Sequence, residues 1–95
     1  MAVVVINQSA NWNQDLYDQV SKKVFGGTLT PTELPSGLIT HTAGPNPKGG
    51  WIVVDIWESE AKFNDFLQNT IMPAAMEMNA PPFDTTFISL HNYLK

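Results

Sequence analysis

Cysteine and arginine are both absent from this chain of 95 residues. The lack of cysteine excludes a disulfide framework, a thiolate metal site and a cysteine nucleophile, and it fits a reducing compartment. The lack of arginine removes the side chain that best recognises phosphate, and the five lysines are scattered in a chain of formal net charge −4. Because nucleic-acid binding needs a basic patch, we expect no nucleic-acid partner.

Long hydrophobic runs are missing as well. No apolar stretch approaches the length of a membrane span, and no basic segment followed by an apolar one opens the chain, so we expect a cytoplasmic protein without a membrane partner. The length predicts a single domain over residues 1–95. Charged residues make up only 15% of the chain, which favours a surface partly covered by another subunit.

Strand and helix patterns alternate in the order βαββαβ. Strands are predicted at residues 2–6, 37–43, 51–57 and 85–93, with helices after the N-caps Asn13 and Ser59 and a short continuation at 74–78. Gly26-Gly27 predicts the end of the first helix, and Pro73 predicts a kink near Met72. Right-handed crossovers then give a ferredoxin-like α+β fold, a four-stranded antiparallel sheet with both helices on one face.

The alternation in the third strand also bears on the face of the sheet that the helices do not cover. Its side chains alternate, so that Ile52, Val54 and Ile56 point away from the face that holds Asp55. Helices can cover only one of these faces, and a large apolar patch left in water usually marks an interface. We therefore predict a homodimer joined sheet to sheet.

The segment from Val54 to Phe63, VDIWESEAKF, resembles the antibiotic-biosynthesis-monooxygenase-like (ABM-like) members of the dimeric α/β-barrel superfamily. The segments 37–45 and 71–75 look like an uncharacterised bacterial branch of it, and the resemblance covers nearly the whole chain. It implies a dimeric α/β barrel whose pocket, between sheet and helices, takes a small aromatic or polyketide-like molecule and oxygenates it without a cofactor. The superfamily also includes haem degraders, isomerases, cyclases and members of no known activity, so the resemblance implies a fold more narrowly than a reaction.

Asp55 and His41 are the candidate catalytic residues. A carboxylate that shares a strand face with two tryptophans could act as a general base on a phenol or enol, and the alternative for Asp55 is a hydrogen bond to backbone or to an indole. His41, on the neighbouring strand, could be the base that forms a substrate anion, or a strand histidine bound to threonine or solvent. His91 is expected at the surface or in an interface.

The candidate substrate-binding residues form a predominantly aromatic set. Asn7, Trp51, Trp57, Phe66 and Met76 are expected to line the pocket; the alternative for Phe66, which the pattern favours, is the core, and the alternative for Asn7 is a cap of the turn after the first strand. The resemblance extends to bacterial haem-degrading monooxygenases, whose pattern is matched by Asn7 and Trp57, but Met76 stands where their helix has histidine. Haem binding and non-catalytic ligand binding by a dimer therefore remain alternatives. No ligand spacing predicts a metal site.

Overall fold

The computed structural model describes residues 2–25 and 34–93. Within these residues, four strands and three α-helices follow one another in the order β1 (Val3–Ser9), α1 (Gln14–Phe25), β2 (Leu38–Pro45), β3 (Trp51–Trp57), α2 (Glu60–Phe66), α3 (Met72–Glu77) and β4 (Asp84–Ser89). The strands form one sheet in the order β2-β3-β1-β4, and each neighbouring pair is antiparallel. The predicted ferredoxin-like α+β fold is confirmed. Gly26-Gly27, the predicted end of α1, lies outside the described residues.

The strand ends follow from pairing. β1 runs to Ser9, beyond the predicted end at residue 6, because its last residues pair with Trp51 and Ile52 of β3. β4 ends at Ser89, four residues before the end that its alternating pattern predicted, because Ser89 already pairs with Val3, the first residue of β1. The alternating sequence pattern therefore continues past the end of β4, because the neighbouring strand β1 has no further residue with which to pair.

Both predicted N-caps are present. The Asn13 side-chain oxygen accepts a hydrogen bond from the backbone N–H of Leu16 at 2.9 Å, and the Ser59 hydroxyl accepts one from Lys62 at 3.2 Å. Each cap satisfies one of the backbone donors that a helix start leaves without a partner. These caps fix where α1 and α2 begin relative to the sheet.

A π-helical turn occupies Leu67–Ile71 and joins α2 to α3 without a break. The N–H of Met72 donates to the carbonyl of Leu67, five residues earlier, instead of four. Pro73 follows directly, and its ring would crowd the carbonyl four residues before it in a regular α-helix. The irregularity predicted near Met72 is thus a widened turn.

The two faces of the sheet differ in burial as predicted. Odd-numbered residues of β1 and β3 face the helices and are buried, in two clusters built around Trp57 with Phe63 and around Trp51 with Trp12. Even-numbered residues form the open face: they are half-buried in β1 and β3, and Ile88 of β4 is 48% exposed. Within residues 2–25 and 34–93, no helix has the length and apolar character needed to cross a membrane.

Candidate functional site

A cavity of ≈ 330 Å³ lies between the helix-covered face of the sheet and the helices. Its wall is mostly apolar and includes residues from all four strands, from α1, and from the continuous helical run between α2 and α3. Six of the seven predicted site residues line it: Asn7, His41, Asp55, Trp57, Phe66 and Met76. The seventh, Trp51, does not.

His41 and Asp55 face each other across the β2–β3 pair. They are direct partners in the strand register, and the imidazole Nδ1 lies 2.7 Å from the carboxylate Oδ1. The side chain of Asp55 is 8% exposed, whereas that of His41 is 22% exposed. A carboxylate in this position fixes the imidazole tautomer, with the proton on Nδ1 and a lone pair on Nε2.

The second carboxylate oxygen of Asp55 is also occupied. The indole N–H of Trp57, two residues along the same strand face, donates to Oδ2 at 3.3 Å. The ring of Trp57 is held edge-on by Phe63, with centroids 5.6 Å apart, and is 1% exposed. Asp55 therefore meets the indole named among its sequence-based alternatives and the histidine at the same time.

Tyr17 of α1 completes a hydrogen-bonded chain that the sequence did not predict. Its hydroxyl lies 2.5 Å from Nε2 of His41, and it lines the same cavity. With Nδ1–H donating to Asp55, Nε2 can only accept, so the tyrosine O–H donates. The order is therefore Tyr17 O–H to His41 Nε2, then His41 Nδ1–H to the carboxylate.

Burial raises the pKa of the Tyr17 hydroxyl above its usual range; a hydrogen bond with Ser21 acts against this, and the negative charges of Asp55 and Asp18 act with it. Tyr17 is consequently a neutral phenol at neutral pH. The sequence offered one signal for this residue, its position on the inner stripe of α1 together with Val20 and Val24. That stripe alone does not tell which strand residue the hydroxyl meets.

Asn7 forms a second polar group on the cavity wall. It is 8% exposed, and its Oδ1 accepts a hydrogen bond at 2.5 Å from the hydroxyl of Thr85, its register partner on β4. Among the described residues we find no acceptor for its amide nitrogen. This nitrogen is a donor available to a bound molecule.

Trp51 lies behind the cavity wall. It sits at the start of β3, paired with Ser9 and Pro45, and its ring packs against Tyr17 with centroids 5.3 Å apart. Tyr17 lines the cavity and Trp51 does not, which corrects the expectation that Trp51 is part of the pocket wall. Trp51 instead supports the tyrosine ring.

Phe66 and Met76 contribute apolar wall from the other side. Phe66 packs on Trp57 with centroids 5.5 Å apart, and Met76 is 72% exposed, which places it at the rim. His41 uses both ring nitrogens inside the protein, so this histidine offers no free nitrogen to haem iron. No cluster of three His, Asp or Glu side chains within the described residues is suited to a metal ion. His91 is exposed beyond β4.

Several solved structures of other proteins share the fold of this chain. No protein-family model and no curated protein matches the chain. Solved structures do match: Rv0793 from Mycobacterium tuberculosis has a TM-score of 0.67 at 13% identity, with 100% of each chain covered. A protein from Deinococcus radiodurans assigned as an antibiotic biosynthesis monooxygenase has a TM-score of 0.60 at 10% identity, covering 100% of this chain and 97% of that one.

A third match is a mutant of SnoaB, a cofactor-independent oxygenase from Streptomyces nogalater. It has a TM-score of 0.63 at 12% identity, covering 98% of this chain and 95% of that one. At identities this low, the structural matches show that the chains share a fold. They do not show that the chains share a chemistry, which depends on the residues of each site. This chain has the ABM-like, ferredoxin-like fold.

Proposed function

We propose that this protein binds a small aromatic or polyketide-like molecule in its cavity and oxygenates it without a cofactor. The observation that supports this most directly is the His41–Asp55 pair at 2.7 Å, set into an otherwise apolar cavity of ≈ 330 Å³. A wall of this kind holds a planar molecule, and its few polar groups fix the orientation. The fold is shared with a cofactor-independent oxygenase, which is consistent with the proposal.

The chemistry begins with loss of a proton from a phenol or enol. His41 is the proton acceptor, and the Asp55 carboxylate stabilises the imidazolium that forms. The resulting anion gives electrons to molecular oxygen directly, and a CH₂ group becomes C=O while the second oxygen atom leaves as water. The oxidation of CH₂ to C=O supplies all four electrons that reduce O₂, so the balance CH₂ + O₂ → C=O + H₂O needs no other reductant.

The remaining polar and aromatic residues orient the substrate. The free amide N–H of Asn7 would donate to a carbonyl oxygen, and the faces of Trp57 and Phe66 would contact the ring system. An apolar wall also keeps water away from the anion, which strengthens its interactions with the fixed dipoles of the site.

The test is oxygen uptake with a hydroxyanthrone probe, whose keto and phenol forms interconvert. In the double variant His41→Gln with Asp55→Asn we expect kcat to fall by roughly 100-fold or more, the usual contribution of a general base. The matched control is His91→Gln, because His91 is exposed beyond β4. A double variant as active as the wild type would remove His41 and Asp55 from the mechanism.

The second candidate is a small-ligand-binding dimer without catalysis. The apolar wall and the exposed Met76 at its rim favour binding of a hydrophobic molecule, whether or not the bound molecule then reacts. In that case quenching of tryptophan fluorescence by the probe would show binding, equal in wild type and double variant, with no oxygen uptake. A Soret shift on addition of haem would instead support the haem alternative.

We also propose that two copies associate through the open face. The half-buried Val4, Ile6, Ile52, Val54 and Ile56 and the exposed Ile88 form a continuous apolar surface across β3, β1 and β4. A second copy presents the same surface, which makes it self-complementary in apolar character and suits a two-fold interface.

A further inference from the structure

We infer that Tyr17 is the residue that meets the substrate hydroxyl, and that it passes the proton on to His41. The inference rests on the proposed function and changes its first step: His41 accepts a proton from the tyrosine, not from the substrate. It also limits the substrate to molecules with an acidic hydroxyl that can approach α1.

Both ring nitrogens of His41 are already hydrogen-bonded within the protein. Nδ1 is held by Asp55 at 2.7 Å and Nε2 by the Tyr17 hydroxyl at 2.5 Å, so neither nitrogen has room for a further partner. A substrate that contacted Nε2 directly would have to displace the tyrosine. The Tyr17 ring cannot swing away without cost, because it packs on Trp51 and stacks near the imidazole at 6.2 Å.

The tyrosine oxygen also has a lone pair left for a bound molecule. A hydroxyl that donates to His41 retains two lone pairs, one of which is used by the hydrogen bond with Ser21. Tyr17 lines the cavity, so the other lone pair can accept a hydrogen bond from a bound hydroxyl. The groups that act on this hydroxyl are His41 from β2, which it contacts, Ser21 from α1, and the negative charges of Asp55 from β3 and of the exposed Asp18 from α1. The net negative charge of these groups disfavours a persistent tyrosinate. It therefore favours a transfer in which Tyr17 gains the substrate proton as it gives its own proton to His41.

Atoms and charges balance in this transfer. The substrate O–H bond breaks and a new Tyr17 O–H bond forms, while the original tyrosine proton moves to Nε2 of His41. The substrate becomes a phenolate or enolate, the imidazole becomes an imidazolium beside Asp55, and no electron moves. Since an imidazole is the final acceptor, the substrate must be an acidic phenol or enol, and an aliphatic alcohol would not give up its proton.

The experiment uses 4-nitrophenol without oxygen, because its absorption distinguishes phenol from phenolate. We expect wild-type protein to bind the probe as phenolate, and Tyr17→Phe to lower the ionised fraction of bound probe at least tenfold at the same pH. Phenylalanine keeps the ring that packs on Trp51, and near-ultraviolet circular dichroism would verify this packing. The control is Tyr93→Phe, because Tyr93 is 39% exposed and does not line the cavity.

The outcomes separate the two proposals. Ionisation of the probe that needs Tyr17, in a protein that consumes no oxygen with hydroxyanthrone, would support the relay and contradict the oxygenase. Oxygen uptake with the same kcat and pH profile in Tyr17→Phe and wild type would overturn the relay alone. A wild-type protein that leaves the probe as protonated as it is in free solution would overturn the relay as well.

Discussion

Asp55 is the side chain that links the imidazole of His41 to the indole of Trp57. It is 6% exposed, and its two oxygens accept hydrogen bonds from His41 and from Trp57. A buried carboxylate is tolerated only when such donors replace water. The same two bonds help to hold the imidazole, which Tyr17 also contacts, and the indole, which Phe63 also contacts.

Replacing Asp55 by asparagine should therefore destabilise the fold as well as the site. The amide replaces one acceptor oxygen by an NH₂ donor, so either Trp57 loses its acceptor or the imidazole of His41 must change tautomer and reverse its hydrogen bond with Tyr17; an unsatisfied buried donor costs about 1–3 kcal/mol. We expect the free energy of unfolding in urea to fall by that amount. Asp65→Asn is the control, since Asp65 is exposed on α2. Equal stability of the two variants would contradict the hydrogen bonding described for Asp55.

The raised pKa of Tyr17 leads to a prediction at alkaline pH. The folded state keeps the tyrosine proton to a higher pH than the unfolded state, whose value is the ordinary 10.0, because burial disfavours the phenolate. The stabilisation is therefore complete below that value and is lost as the pH rises through the folded pKa. Tyrosinate absorbance of the folded protein should show a late phase that disappears in Tyr17→Phe. Its retention there, or its loss in Tyr93→Phe, would contradict the assignment.

Single residues also show how far sequence alone could predict the site. Alternation in β3 placed Asp55 and Trp57 on one face, since a strand fixes side-chain direction with period two, and the family resemblance added Asn7 to that face. Tyr17 could not be found in this way. Which α1 residue meets His41 depends on how the helix docks on the sheet, and this docking is set by packing between distant segments.

At the scale of elements, the start of β3 is a close crossing of two chain segments. Gly50 has φ +86°, and a Cβ added to it would lie 2.1 Å from the carbonyl oxygen of Ser9 and 2.5 Å from the Cα of Ala10. Both atoms belong to the backbone that leaves β1, so they cannot move aside as a flexible side chain would. Only glycine lets the β2–β3 connection pass so close to the end of β1.

Three alanine substitutions separate the two causes of strain. Gly44→Ala meets no atom within 4 Å and should leave stability nearly unchanged. Gly49→Ala also has open space but φ +105°, so it should cost on the order of 1 kcal/mol. Gly50→Ala adds a backbone clash to its positive φ and should cost the most, roughly 3 kcal/mol or more. Urea denaturation that gave equal values for Gly49→Ala and Gly50→Ala would contradict the close crossing.

The sequence predicted the type of each helix and strand. It predicted less accurately where each one begins and ends and where a helix is irregular. Pro73 predicted an irregularity in the second helical region, because a proline lacks the N–H and crowds the preceding turn. It did not predict a π-helical turn at Leu67–Ile71, since a kink and a widened turn relieve the same clash. The choice between them depends on packing against the sheet.

At the scale of the whole molecule, the sheet has one face that the described helices do not cover. Ile6 of β1 and Val54 of β3 are register partners near the centre of that open face. Both are half-buried within one chain, where a monomer would leave their remaining surface in water. The proposed dimer would remove this surface, and a charge placed there would have to be buried.

Val54→Lys should therefore weaken or abolish the dimer. We expect light scattering at micromolar concentration to give the mass of two chains for wild type and of one chain for the variant, because an unpaired ammonium would be buried between the sheets. Gln19→Lys adds the same charge on the exposed side of α1 and should leave the mass unchanged. A wild-type protein with the mass of one chain would contradict the interface.

The π-helical turn also bears on how this pocket could change during evolution. Relative to a regular helix, such a turn contains one additional residue, and each residue of an α-helix advances about 100° around the axis. Deleting one residue within Leu67–Ile71 would restore the regular spacing and rotate Ala75 and Met76, which now line the cavity, toward other directions. A single codon lost or gained at this point would exchange one wall of the pocket for another while the sheet, with His41 and Asp55, stayed in place.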